Sequence, residues 1–189
     1  MAFMRAHNDI TLGILAGGRA TRLGGEDKAW AVYRGETLVE RTSRALDDAF
    51  AARVVSANRD LDRYAALGLR VVIDRVADFP GPLAGLDALL ATCETPLLLT
   101  IPVDLRAIPH DLAVRLYSAG EAGAVAQDST GVQPLIALWP VDRARTAVTQ
   151  ALVRGERAVH HVVADLVLPH VRFDGADFGN LNSPDDFLT

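Results

Sequence analysis

The chain has 189 residues, half of them apolar, which suffices for the core of one domain. Its formal net charge of −5 argues against a general nucleic-acid binder, so an anionic ligand would have to be met by locally gathered cations. A single cysteine, Cys93, excludes an internal disulfide or a cysteine-based zinc cluster and fits a reducing compartment; with no bilayer-spanning apolar run and no secretory pattern in MAFMRAHND, the expected location is the cytoplasm.

Taken in chain order, strand-length apolar runs alternate with amphipathic stretches. Ile10 to Leu15 reads as a strand, Glu36 to Phe50 as a helix and Arg53 to Ala57 as a second strand. Leu61 to Leu67 reads as a short helix closed by Gly68, and Leu69 to Ile73 as a third strand. Pro82 to Cys93 is helical with proline in its first turn, and Pro96 to Ile101 is a buried strand. Pro109 to Ala119 reads as a helix, Gly123 to Ala126 and Leu135 to Trp139 as strands. Val141 to Val153 and Glu156 to Val163 are helical, and Val167 to Phe173 is a strand candidate. Such alternation predicts an α/β fold, a mostly parallel sheet with helices on both faces. Ligands in such sheets bind beyond the carboxyl ends of the strands, so the chemistry should lie just after them.

The run LAGGRATRLGGEDK, residues 15–28, follows the first strand. Gly17, Gly18, Gly24 and Gly25 let backbone N–H groups approach phosphates closely. Arg19, Arg22 and Lys28 are spaced through the same loop and would neutralise a triphosphate and a departing pyrophosphate. Lys28 is the only lysine in the chain. The loop is neither a Walker A motif nor G-x-G-x-x-G; read without its context, it is a glycine-rich surface loop with incidental charge. Asp74 and Asp104 each follow a strand. A hard cation such as Mg²⁺ takes one or two carboxylates plus substrate phosphates, and a strand-end aspartate suits that role, as it also suits a turn or a helix cap. Between them, FPGPLAGLDAL opens a helix whose Gly81, Leu83 and Gly85 amides are candidate anion donors, and it reads equally as a tight turn alone.

In order, the pieces LAGGRATRLGGEDKA, VVSANRD, VVIDRVADFPGPLAGL, PVDLRAIP, QPLIALW, GERAV and NLNSPDDF resemble the molybdenum cofactor guanylyltransferase family of MobA-like NTP transferases, within the glycosyltransferase-A-like nucleotidyltransferases. The resemblance implies a Rossmann-like three-layer α/β/α sandwich. It implies one nucleotidyltransferase domain over residues 1–189, its N-terminal part binding nucleotide and its C-terminal part the acceptor. The implied reaction transfers GMP from GTP to the terminal phosphate of molybdenum-loaded molybdopterin, with Mg²⁺ or Mn²⁺ as cofactor. Carried over by position, Leu15, Ala16, Gly17 and Gly18 look like the nucleotide cradle and Lys28 a phosphate contact. Asn58 falls in the base-reading segment, Asp74 near the nucleotide and Asp104 at the metal. The family often has Asn where this chain has Ser56, a shorter side chain for reading a base edge. After Asp104 the chain reads LRAIP, where the family usually has a small residue or Met and then Pro. Lys28, Arg22 and Asp104 are the catalytic candidates implied.

Acceptor-site candidates are Gln133, Arg157, Asn180 and Asn182; Gln133 and the two Asn offer both donors and acceptors, which suits a pterin edge. Asn182 reads equally as a capping device, and Arg157 as a solvated helix residue. Transient contact with molybdenum-insertion proteins and apo-molybdoenzymes is also implied. Rival readings are a related transferase using CTP or another phosphorylated acceptor, and a non-catalytic molybdopterin carrier. His160 and His161, adjacent on a helix, are expected to point different ways, and Cys93 is expected in the core.

Overall fold

The computed structural model describes residues 6–17, 27–46, 49–75, 81–120, 122–182 and 184–187. Gly18 and Arg22, with Arg19, Gly24 and Gly25, lie outside the described residues.

Strand β1 (Ala6–Leu15) is followed by a one-turn 3-10 helix over Lys28–Trp30 and a tiny hairpin of β2 (Val32–Tyr33) and β3 (Glu36–Thr37). Helix α1 (Leu38–Ala45), β4 (Ala49–Ser56), α2 (Leu61–Ala66) and β5 (Arg70–Val72) come next. Then follow α3 (Pro82–Thr92), β6 (Leu97–Pro102), α4 (Leu112–Ser118), β7 (Ala124–Asp128) and β8 (Gly131–Pro140). Helices α5 (Val141–Val153) and α6 (Val159–Leu166), β9 (His170–Arg172) and a short turn of helix over Pro184–Phe187 complete the described elements.

Among the described residues the main sheet has seven strands in the order β5-β4-β1-β6-β8-β7-β9. All run the same way except β8, which is antiparallel to both β6 and β7. Because strand side chains alternate between faces, each face of the sheet builds its own core. Ile10, Leu12 and Ile14 meet Leu38 and Val39 of α1, Tyr64 of α2, and Leu112 and Leu116 of α4. On the other face, Leu98 and Trp139 meet Leu86 and Leu89 of α3, Ala144 and Val148 of α5, and Val162 of α6. The result is the expected three-layer α/β/α sandwich. Gly13 faces α3, where a Cβ would lie only 2.9 Å from Leu89 Cδ1, so this glycine sets how closely helix and sheet approach. The buried Trp139 indole donates to Thr100 Oγ1 at 2.8 Å, which satisfies its polar edge inside the core.

Several expected elements are shorter or displaced. The helix read over Glu36 to Phe50 is only Leu38–Ala45. Its start is set by a Thr37–Glu40 capping box, and β4 pairs with β1 from Ala49 onward, so sheet pairing overrides helical propensity there. Glu36 and Thr37 instead form half of the small hairpin, turned by Arg34 and Gly35, both at positive φ. Helix α6 begins at Val159 rather than Glu156, whose amide closes onto Ala151 O at the end of α5. Val167, read as strand, is the left-handed C-cap of α6.

Candidate active site

The carboxyl ends of β1, β4, β5 and β6 lie at one edge of the sheet. There the end of β1 is clamped on both sides: Ala16 N donates to Ser56 O at 3.0 Å, and Val103 N donates to Leu15 O at 3.1 Å. Gly17 follows and projects over this edge; a Cβ there would lie 3.7 Å from Asn58 Nδ2 and 3.8 Å from Ser56 O. Leu15, Ala16 and Gly17 therefore stand directly beside the Ser56–Asn58 segment.

Asn58 and Asp74 form a reciprocal pair. Asn58 Nδ2 donates to Asp74 Oδ2 at 2.7 Å, and Asp74 N donates to Asn58 Oδ1 at 3.0 Å. The other carboxylate oxygen, Asp74 Oδ1, is buried and has no hydrogen-bond partner among the described residues. Ser56 is fully buried, and its hydroxyl is likewise without a partner among the described residues. It faces Gly85 of α3, where a Cβ would come within 3.0 Å of the hydroxyl oxygen. Gly85 thus lets α3 pack directly under the cradle, and the exposed polar edge beside it is that of Asn58.

The second cluster joins three distant parts of the chain. Lys28 Nζ lies 2.6 Å from Asp104 Oδ2 and donates to Asn182 Oδ1 at 2.7 Å. Asp104 reaches this point from the turn that ends β6. Asn182 reaches it on a carboxy-terminal strap bound to that same turn: Leu181 N donates to Asp104 O at 2.8 Å, Arg106 N donates to Gly179 O at 2.6 Å, and Asn180 bridges to Leu105. Asn182 is itself held by Asp186, which also pairs with Arg106 at 2.7 Å. The Lys28 and Asp104 side chains are only 21% and 19% exposed, so their charges interact through a medium poorer than bulk water.

Gln133 and Arg157 have other immediate neighbours. Gln133 Nε2 donates to Asp128 Oδ1 at 3.1 Å and to Thr130 Oγ1 at 3.0 Å, bracing the β7–β8 hairpin. Arg157 lies on the approach to α6, its backbone oxygen 3.4 Å from where a Cβ of Gly81 would stand, at the N-terminus of α3. Sequence reading missed Asp128. Burial would raise its pKa, but the Thr130 hydroxyl and amide, Gln133 Nε2 and the Phe178 amide all donate to it, and together they hold it below the usual carboxylate range. The Phe178 contact ties the strap to the hairpin. Asp87 of α3 moves the other way: burial raises it against the pull of Arg75, 3.8 Å away, with Asp74 adding to the rise. The His160 and His161 rings do not diverge as expected; their centroids are 4.0 Å apart, since exposed side chains can fold back over their own helix. Cys93 is buried, as expected.

Among the described residues no group of three or more His, Cys, Asp or Glu side chains converges as a metal cage. The donor chemistry at Asp104 is a single carboxylate, one oxygen of which is engaged by Lys28. That fits a hard dication whose remaining ligands are phosphate oxygens and water, and not a cation held by protein alone.

Residues 12–170 match the family described as the MobA-like NTP transferase domain. A protein from Cupriavidus necator named molybdenum cofactor guanylyltransferase is 39% identical over 98% of this chain and 98% of its own length. One of the same name from Polynucleobacter asymbioticus is 34% identical over 97% and 96%. Among solved structures, molybdopterin-guanine dinucleotide biosynthesis protein A from Archaeoglobus fulgidus superposes with a TM-score of 0.71 over 94% of each chain at 20% identity, a likeness of fold. The chain belongs to the molybdenum cofactor guanylyltransferase family of MobA-like NTP transferases.

Proposed function

We propose that the chain transfers GMP from GTP to the terminal phosphate of molybdenum-loaded molybdopterin, releasing pyrophosphate and forming the guanine dinucleotide of the cofactor. The observation that carries this reading is the meeting of Lys28, Asp104 and Asn182 at the strand edge beside the Leu15–Gly17 cradle.

An acceptor phosphate oxygen attacks the α-phosphorus of GTP in line. The new P–O bond forms as the bond from the α-phosphorus to the bridging oxygen breaks, and pyrophosphate leaves with that electron pair. The nucleophile is already an anion, so the protein need not supply one; it orients the two phosphates and balances charge. The Leu15–Gly17 backbone would line the nucleotide. Asn58, at the exposed edge, would offer its amide to the base, with Asp74 holding that amide in place and Ser56 supporting the segment from beneath. Lys28, with Arg22 and Gly18 of the same loop, would meet the triphosphate. Mg²⁺, or Mn²⁺ in its place, would be held by Asp104; when bound, it supplies neutralisation and alignment of the phosphate oxygens. Gln133, Arg157, Asn180 and Asn182 would face the acceptor, two of them on the strap. In this reading residues 1–189 are one nucleotidyltransferase unit, nucleotide on the N-terminal part and acceptor on the C-terminal part. No helix among the described residues is long and apolar enough to cross a membrane, and we place the protein in the cytoplasm, in transient contact with molybdenum-insertion proteins and apo-molybdoenzymes.

The test is pyrophosphate release with GTP, CTP, ATP or UTP, each with Mg²⁺ and the loaded acceptor. Release with GTP alone, dependent on acceptor, is expected. Release with CTP would keep the chemistry and change the base, for which the buried Ser56 is the residue to examine. Pterin binding without release from any nucleotide would replace the enzyme with a carrier.

A further inference from the structure

The turn that carries Lys28 is held from behind by a side chain that no step above uses. Asp27 caps this turn: its Oδ1 accepts from Ala29 N at 3.0 Å, and its Oδ2 accepts from the Tyr64 hydroxyl at 2.9 Å. Trp30 N donates to Asp27 O and Ala31 N to Lys28 O, each at 3.0 Å, so the backbone around the lysine is closed on itself. Tyr64 is fully buried, the residue through which α2 enters the core. Its ring centroid lies 4.7 Å from that of Trp30, and the Arg63 guanidinium stands 3.9 Å from the Trp30 ring centroid. Asp27, directly before Lys28, and Trp30, two residues after it, therefore both touch Tyr64. Helix α2 starts from Asp60, two residues beyond Asn58, so the element that holds the lysine turn is rooted beside the Asn58–Asp74 pair.

We propose that Tyr64, acting through Asp27, is a positioning residue for Lys28: its hydroxyl orients the Asp27 carboxylate, and that carboxylate sets the turn from which the lysine is aimed. A lysine has a long flexible stem and only a point charge to place, so the stem's origin must be fixed by the backbone. A misplacement of about 1 Å at such a group costs on the order of a hundredfold in rate. Burial, with the Asp27 charge beside it, pushes the Tyr64 hydroxyl well above its ordinary pKa, which keeps it a donor at any working pH. Tyr64 touches neither substrate nor reacting atoms in this scheme. The proposal rests on the reading that Lys28 serves the nucleotide phosphates.

Tyr64→Phe keeps the ring and its packing on Trp30 and deletes only the donor. Pyrophosphate release and calorimetric GTP binding are measured for Tyr64→Phe, Lys28→Ala and the double variant. Tyr64→Phe is expected to lower kcat/KM for GTP about tenfold at a nearly unchanged melting temperature. In the Lys28→Ala background it is expected to change nothing further, because its effect runs through the lysine. Independent losses that multiply, with Lys28→Ala impaired, overturn the positioning role and leave the lysine reading intact. A fully active Lys28→Ala overturns both. Should Tyr64→Phe not fold, Asp27 puts the same question. Asp27→Asn retains an acceptor for Ala29 N and can donate to the tyrosine oxygen, so it should stay within about threefold of the parent, whereas Asp27→Ala should fall about tenfold. Equal losses in these two variants overturn the proposal.

Discussion

Lys28 and Asp104 stand 76 positions apart in the chain and 2.6 Å apart in space. Neither charge is deeply buried, yet each is mostly withdrawn from water, so removing one leaves the other poorly compensated. Lys28→Ala is expected to cut turnover on the order of a hundredfold, the usual cost of losing one well-placed charge-stabilising group, and steady-state pyrophosphate release measures it. A variant with the parent's kcat and its affinity for GTP would take Lys28 out of the site. Asp104→Asn keeps the shape and removes the charge; it is expected to lose turnover on a similar scale at every Mg²⁺ concentration while melting within a few degrees of the parent. Undiminished turnover would show that no metal depends on Asp104. The aspartates were legible in the sequence because each lies two residues past a strand's end, and fold class alone says that strand ends face ligand. Asn182 was named, but its bond to Lys28 spans 154 positions and has no local signature. Asp27, Tyr64 and Asp128 were missed for the same reason: their partners are set by packing and not by spacing.

At the scale of elements, the long apolar runs were read well, since β1 and β6 are buried on both faces and leave no other choice. The β2–β3 hairpin escaped because two-residue strands have no periodicity to detect, and its one signal was the Arg34–Gly35 turn. Helix α1 was read too long because no glycine or proline marks its end. The α6 terminus was missed for a different reason: its C-cap, Val167, is an unfavourable residue for the position. A β-branched side chain at φ 52° and ψ 48° is strained, and this one is 82% exposed, with little packing to offset the strain. Val167→Gly should therefore stabilise the protein by about 1 kcal/mol, since relief of strain of about 1–2 kcal/mol exceeds the entropy that glycine adds to the unfolded chain. Thermal unfolding should show a midpoint higher by about 2–4 °C. A lower midpoint would mean that the valine makes contacts worth more than its strain.

Across the whole molecule, one edge of the sheet carries the chemistry, and two separate cores hold that edge in place. The reversed strand β8 matters here: it ends the run of crossover loops at this edge and substitutes the tight β7–β8 turn, a firm wall against which the strap is tied by the Asp128–Phe178 bond. Asp128 has its pKa lowered in the folded state, so its stabilising contribution is present above the unfolded carboxylate value, about 3.9, and is lost as pH falls through the folded one. At pH 6, Asp128→Asn should cost about 1–2 kcal/mol in denaturant unfolding, the worth of charge-assisted hydrogen bonds. The gap between variant and parent should close as pH is taken below about 4. A gap that stays constant with pH would mean that the carboxylate's charge is not what holds hairpin and strap together. The solitary lysine has a practical consequence as well. A chain with one ε-amino group carries its own spectroscopic reporter, for reductive methylation with carbon-13 formaldehyde would place a lone side-chain dimethylamine resonance where Asp104 and Asn182 meet. Its chemical shift would follow nucleotide arriving and leaving, read from a nitrogen that keeps one N–H for its two acceptors.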